Sequence, residues 1–358
     1  MRTFDSLVIY LVDDPGSIFY TPLILNGAQT MIRSFFYSLD SGLRTDLPLD
    51  ELPEIVQSGE GLLWVDFENT PPESDEPIMR QAFGFHPLAI DDALQETHIP
   101  KLDDWETYLY IVLNAVRIVP DDPGEIDLLE LDVFLGKNYL VTHHDQQIAA
   151  IDDAWIAVQR DERFLKNGAD RVLYRLIDEL INHYMPIVEH LDQAIDQAEE
   201  RIFESASPET LEQIFSLKRT VLQLRRTIGP QREVLNKLAR DEYAVVDRRT
   251  RVYFRDIYDH LVRMQDLTES IRDLVSSVLD TYLSVVNNRM NDIMKTLTII
   301  TTLFMPIAFI ASFFGMNFFT PVYPLNVWTG KAAYIIVLSI TVLTPVVMFT
   351  WIRRRGWM

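Results

Sequence analysis

The chain has 358 residues, enough for two domains, with 48% hydrophobic residues and a net charge of −21. That acidity disfavours nucleic acid as a partner and favours cations. With no cysteine, a disulfide framework and a thiolate metal site are both excluded. The charge is unevenly placed: all 53 Asp and Glu residues lie at or before Asp292, whereas Lys295, Lys331, Arg353, Arg354 and Arg355 lie beyond it.

Residues 1–16 hold one Arg and a short apolar run that soon meets Asp13 and Asp14, which is not the pattern of a secretory signal. Up to about His144, short β-branched and aromatic runs alternate with turn clusters, predicting strands at 7–12, 18–25, 32–39, 62–67, 109–119 and 128–142. A helix is expected at 87–95. Residues 1–145 therefore read as a cytoplasmic mixed α/β domain. Beyond Asp145 the period becomes helical, with helices expected at 146–165, 169–205 and 208–239 and a kink at Pro186. This gives a helical region over 146–246.

From 247 to 314 the only breaker is Pro306, so one stalk helix is expected to run directly into a first membrane span. At about 1.5 Å per residue it reaches on the order of 100 Å. Its soluble half places Ile257, Leu261, Met264, Ile271, Val275, Val278 and Tyr282 at heptad spacing, with Thr268 as the polar interruption. That stripe requires a partner surface. The runs 297–314 and 332–352 contain no charged residue, and each approaches the roughly 20 apolar residues that cross a bilayer. A buried helical hairpin is the soluble alternative, but such a hairpin normally keeps a polar face. Lys295 and the arginines at 353–355 flank the same side, with Arg289 close by, while the outer loop at 315–331 holds only Lys331. The positive-inside rule then puts both termini, including the basic tail at 353–358, in the cytoplasm.

A second stripe runs Asp280, Ser284, Asn287, Asn291, Met294, Thr298, Thr301, Met305, Ala308 and Ser312, at alternating steps of four and three on one helix face. Small and hydroxyl residues also serve simple helix packing in lipid. Asparagines and an aspartate at the approach to a span suit that role poorly, because a desolvated amide or carboxylate is costly unless it faces water or a partner. Several copies around an axis would turn each stripe residue into a collar. Amide and hydroxyl oxygens suit Mg²⁺, which dehydrates reluctantly, and Met294, Leu297 and Met305 supply apolar constrictions that gate by dewetting.

Residues 295–318, KTLTIITTLFMPIAFIASFFGMNF, resemble the first span and signature of the CorA-type magnesium transporters. The likeness extends to YFRDIYDH at 253–260, RDLVS at 272–276, HPLAIDD at 86–92 and the terminal RRRGWM. The resemblance implies a funnel-shaped homopentamer in the cytoplasmic membrane. Its pore is lined by the first span and closed outside by Gly315, Met316 and Asn317. Asn317 is the expected entry collar, Asn291, Met294, Leu297 and Met305 line the path, and Asp280 lies near its inner end. Asp92 and Asp256 match acidic positions that hold regulatory divalent cations between subunits. The implied activity is passive uptake of hydrated Mg²⁺, with Co²⁺ or Ni²⁺ as further candidates, closed by high internal Mg²⁺. Mg²⁺ is thus expected as both cargo and regulator.

The segment 318–330 carries no acidic residue after the signature, and Phe314 stands where the family usually has Tyr, which weakens the argument for one ion over another. A proton-coupled Zn²⁺ transporter shares the architecture and is the same-fold alternative. A membrane-anchored metal hydrolase built on His143, His144 and Asp145 or on His86 and His98 lacks a complete ligand spacing. A membrane-tethered scaffold is the third class. No glycine-rich phosphate loop occurs, so nucleotide is not expected. The acidic pairs at 91–92, 103–104, 121–122 and 152–153 read as turn residues or solvated faces.

Overall fold

The computed structural model describes residues 23–25, 28–95, 99–119, 125–316 and 331–354. The strand expected at 7–12, the first part of that at 18–25, His98, Asp121, Asp122, Asn317 and Arg355 lie outside these residues.

Among the described residues, eight strands form one sheet. They are β1 (Leu23–Leu25), β2 (Ala28–Ser38), β3 (Gly42–Thr45), β4 (Leu62–Glu68), β5 (Lys101–Asp104), β6 (Leu109–Ile118), β7 (Ile126–Leu135) and β8 (Tyr139–His144). The order is β1-β2-β4-β8-β7-β6-β5, with β3 on the other side of β2. The β4–β8 pairing alone is parallel, and the other pairs are antiparallel. Six of the seven residues of β4 are buried, and all six of β8. Helices cover both faces, so these strands are buried along their length instead of at alternate positions.

One face carries α1 (Leu52–Ser58), α2 (Pro72–Ala82) and α3 (Pro87–Leu94), which seal a core of Leu63, Val65, Phe67, Met79, Phe85, Ile90, Tyr110 and Phe134. Phe85 stacks on Phe134 with ring centroids 4.1 Å apart. Over the other face lie α4 (Ala149–Arg160) and α6 (Ala169–Asn182), with the short α5 (Glu162–Lys166) between them in sequence. Trp155 of α4 packs against Phe35 and Trp64, at 5.0 and 4.8 Å.

Several elements depart from the sequence expectation for local reasons. The apolar run at 128–142 is two strands, turned where Gly136 N–H donates to Tyr139 O at 2.9 Å. A Cβ on Gly136 would collide with the Tyr139 ring, so the turn needs glycine. The helix expected over 146–165 breaks at Asp161, whose carboxylate caps α5 by accepting from Arg163 N–H at 2.9 Å. The helix expected over 169–205 divides at His183 into α6 and α7 (Tyr184–Glu204), three residues before Pro186, which lacks the N–H that would continue the ladder. Strands β3 and β5 and helices α1 and α2 were not expected at these positions; the strands have four residues each, and the helices are short, at seven and eleven residues.

Helix α8 spans Pro208–Arg240, and α9 runs unbroken over the 68 residues Arg248–Gly315. All seven apolar heptad positions of α9 are buried within the single chain. Thr268 is buried among them and satisfies its own hydroxyl by donating to Met264 O at 2.8 Å. Arg225 of α8 pairs with Glu269 of α9 at 2.5 Å, and Tyr174 of α6 contacts Tyr253 and Phe254. The stripe's partner is thus the chain itself. Contacts divide the chain into two compact units, one comprising residues 1–198 and 212–277, the other residues 199–211 and 278–358. In the second unit, Tyr282 donates to Ser207 O at 3.3 Å. The final helix, α10, spans Lys331–Arg354.

Candidate functional site

Among the described residues two helices are long and apolar enough to cross a membrane: α9, through its C-terminal part, and α10. Every member of the polar stripe of α9, from Asp280 through Ser284, Asn287, Asn291, Met294, Thr298, Thr301, Met305 and Ala308 to Ser312, is exposed in the single chain, as is Leu297. The partly covered positions of the span are Ile299, Leu303, Pro306, Ile307 and Ile310, a different face. The chain covers part of the oily side and leaves the polar side open.

The threonines on the stripe have a defined polarity. Thr298 donates its hydroxyl hydrogen to Met294 O at 2.7 Å, and Thr301 donates to Leu297 O at 2.9 Å. Each proton is used within the helix, so the hydroxyl oxygen faces outward as an acceptor. Acceptors are what the water shell of a cation requires, because that shell presents hydrogens. Gly315 ends α9, and a Cβ placed there meets nothing within 4 Å in its own chain. Met316 is exposed, and Asn317 lies outside the described residues.

The two acidic positions sit on separate elements of the first unit. Asp92, on α3, is 47% exposed at its side chain and is paired with Lys101 of β5. Asp256, on α9, is 70% exposed and lies 3.9 Å from His260 one turn later. Asp178 of α6 lies near Asp256 and His260: burial pushes its carboxyl up, Arg175 and then His260 oppose that, and Asp256 adds to it. Among the described residues no group of three or more His, Asp or Glu is placed to hold a metal ion. Sequence reasoning missed Asp178 and Lys101, because their proximity depends on which strand and helix become neighbours.

His143 and His144 close β8. Both rings are buried, on opposite faces of the sheet. His143 lies 3.5 Å from Asp75 of α2 and 3.8 Å from Asp132 of β7, while Tyr110 donates to Asp132 at 2.6 Å and Thr70 to Asp75 at 2.6 Å. His144 contacts Asp66 at 3.2 Å. Asp66 also holds Arg33 at 2.8 Å, and Arg33 reaches Asp152 of α4 at 2.7 Å. Asp152, expected on a solvated face, is a counter-ion instead. His86 caps α3 by accepting from Leu88 N–H at 3.2 Å and stacks on Trp105.

Burial opposes the charged form of His143, but Asp132 and Asp75 outweigh it and push the pKa up to about 9. Burial also pushes Asp132 up to about 6, against His143 and Tyr110. Both groups therefore keep a proton in the folded state at pH values where the unfolded chain has lost it, so stability falls as pH rises. The His143 contribution is complete below its unfolded value of 6.5 and is lost through about 9. The full-length protein should melt at a lower temperature at pH 9 than at pH 6.5, a loss on the order of 2 kcal/mol. His143→Gln should flatten that slope; an unaltered slope would remove His143 as its source.

Residues 59–354 match the family model described as CorA-like Mg2+ transporter protein. The cobalt/magnesium transport protein CorA of Thermotoga maritima is 37% identical over 281 residues, 77% of this chain and 78% of its own. The protein of the same name from Methanocaldococcus jannaschii is 26% identical over 313 residues, 86% of this chain and 95% of its own. The complete structure of the M. jannaschii CorA magnesium transporter superposes with a TM-score of 0.78 at 22% identity, covering 92% of this chain and 99% of that one. The likeness spans the α/β domain, the stalk and both apolar helices.

Proposed function

The chain belongs to the CorA-like Mg²⁺ transporter family, and on that premise we propose that it carries hydrated Mg²⁺ passively into the cytoplasm, with Co²⁺ and Ni²⁺ as further substrates. It is a membrane protein with two C-terminal spans, a divalent cation transporter and not an enzyme. The observation that carries the finer reading is the open polar face of α9, exposed from Asp280 to Ser312 and running up to the Gly315 terminus. Five copies around an axis close that face into a pore. Asn317 collars its outer mouth, Asn291 and the outward hydroxyl oxygens accept hydrogen bonds from the ion's water, and Met294, Leu297 and Met305 form necks that gate by dewetting. Both termini lie in the cytoplasm, the side of the basic flanks. At a negative-inside membrane, a divalent ion gains about 4.6 kcal/mol per 100 mV, so no nucleotide is required.

The gate follows from the two separate carboxylates. Among the described residues neither Asp92 nor Asp256 belongs to a complete ligand group, which supports a site completed by a neighbouring copy. High internal Mg²⁺ bridges the subunits there and holds the ring closed; low Mg²⁺ releases it. Asp256→Ala should raise the internal Mg²⁺ concentration needed to stop uptake, about fivefold or more. Inhibition at an unaltered concentration would dismiss Asp256 as a sensor.

The transport reading itself is tested with purified protein in liposomes loaded with a Mg²⁺-sensitive dye. Mg²⁺ enters without nucleotide under the account given; dye that stays dark under an inward gradient would reject it. A proton-coupled Zn²⁺ transporter is the second reading, favoured only by the lack of an acidic residue over 318–330. Zn²⁺ entry that acidifies the lumen, without Mg²⁺ entry, would select it.

A further inference from the structure

The regulatory reading of Asp92 leaves one neighbour unexplained. Lys101 begins β5, and its ammonium is paired with Asp92 of α3 while lying 3.1 Å from Asp103 two residues along its own strand. It also sits 5.0 Å from the centre of the Tyr110 ring. Asp103 and Tyr110 are cross-strand partners in the β5–β6 register, so the sheet fixes the geometry. The ammonium is therefore placed between two carboxylates and over an aromatic face. Burial works against its charge, but the hydrogen bonds to Asp92 and Asp103 outweigh that and raise its pKa, so it stays protonated.

We propose that Lys101 is a tethered cation that competes with the divalent ion for Asp92 and so sets the internal Mg²⁺ concentration at which transport stops. This rests on the reading of Asp92 as a regulatory site. A carboxylate held by an ammonium has less negative charge to offer a divalent ion, and the two cations repel at close range. A short flexible tether gives its end group an effective concentration on the order of millimolar. A divalent ion displaces the ammonium only at comparable concentrations, which makes the sensor insensitive to traces. Exchange is open, because the Lys101 side chain is 29% exposed and that of Asp92 47%. That exposure limits the effect, since water screens such pairs.

The test is the inhibition of Mg²⁺ uptake by Mg²⁺ on the cytoplasmic face of the full-length protein in liposomes. In Lys101→Met and Lys101→Gln the half-inhibiting concentration should fall about two- to fivefold, the range that a half-exposed ion pair supports. Lys101→Arg, which keeps the charge, should stay near the original protein. Asp92→Ala should raise the half-inhibiting concentration, and adding Lys101→Met to it should produce no further shift. A half-inhibiting concentration that is unaltered or higher in both neutral variants overturns the proposal. If Asp92→Ala desensitises while the neutral Lys101 variants shift nothing, only the competitor role fails. If Asp92→Ala also leaves inhibition intact, the regulatory reading of Asp92 fails with it. Mg²⁺ protection of the detergent-solubilised protein from protease gives the same comparison without transport, and the Lys101 variants should be protected at lower Mg²⁺.

Discussion

Liposomes carrying the Asn317→Ala protein should take up Mg²⁺ at a rate lower than those carrying the original chain by on the order of a thousandfold. A hydrated ion at the mouth gives up part of its outer water shell and needs acceptors in return, and the Asn side-chain oxygen is the acceptor proposed there. One such hydrogen bond contributes about 1 kcal/mol. In the proposed ring of five copies the losses compound to several kcal/mol at a single collar. Asn317→Asp keeps an acceptor at the same reach and adds charge, so it should retain uptake. The variant should insert and assemble normally, because the substitution falls two residues past Gly315 in sequence, outside the segments that build the sheet and its covering helices. Uptake by Asn317→Ala within about a factor of two of the original rate would mean that the signature does not form the collar.

Asp66→Ala should destabilise the α/β domain by about 3–5 kcal/mol, enough to unfold many domains. Asp66 is fully buried and carries three partners: Arg33 at 2.8 Å, His144 at 3.2 Å and the Thr142 hydroxyl at 2.5 Å. Burial alone would raise its pKa, but His144 and Arg33 outweigh that and hold it well below the usual carboxylate range. Removing it leaves the Arg33 guanidinium, stacked 4.6 Å from the Trp155 ring, buried with Asp152 as its remaining ion-paired carboxylate among the described residues. Because the folded pKa is depressed, the stabilisation is present above the ordinary carboxylate value and is lost as pH falls through the lower folded one. Trp64 and Trp155 lie within the same cluster, so tryptophan fluorescence during thermal unfolding reports it directly. A shift of less than about 1 kcal/mol would show that the network behaves as an exposed ion pair.

The sequence revealed the long elements because their signals repeat. α9 has one breaker ahead of its terminal Gly315 and a heptad stripe that the chain buries in full, and α10 is an uncharged run with cations at its ends. The polar face of α9 was visible for the same reason, since a helix period maps sequence spacing directly onto one side. The sheet was less open to reading. β7 and β8 follow one another across a short turn with no change of period, and a glycine crowded by Tyr139 marks that turn. Strands β3 and β5 have four residues each, too few for a period. The buried charges were hidden altogether: Arg33, Asp66 and Asp152 meet across 33 and 119 positions of sequence. Lys101 was missed in the same way, because its meeting with Asp92 depends on β5 taking the sheet edge beside α3.

Passage of a hydrated divalent ion down its gradient along the stripe of α9, as proposed, is measured by recording Mg²⁺ entry into liposomes at a series of imposed membrane potentials, with pH equal on both sides. Entry should rise as the interior becomes more negative and be blocked by cobalt(III) hexaammine, which has the size of hydrated Mg²⁺ but cannot shed its ligands. Entry that ignores the potential, or that requires a proton gradient, would contradict that proposal.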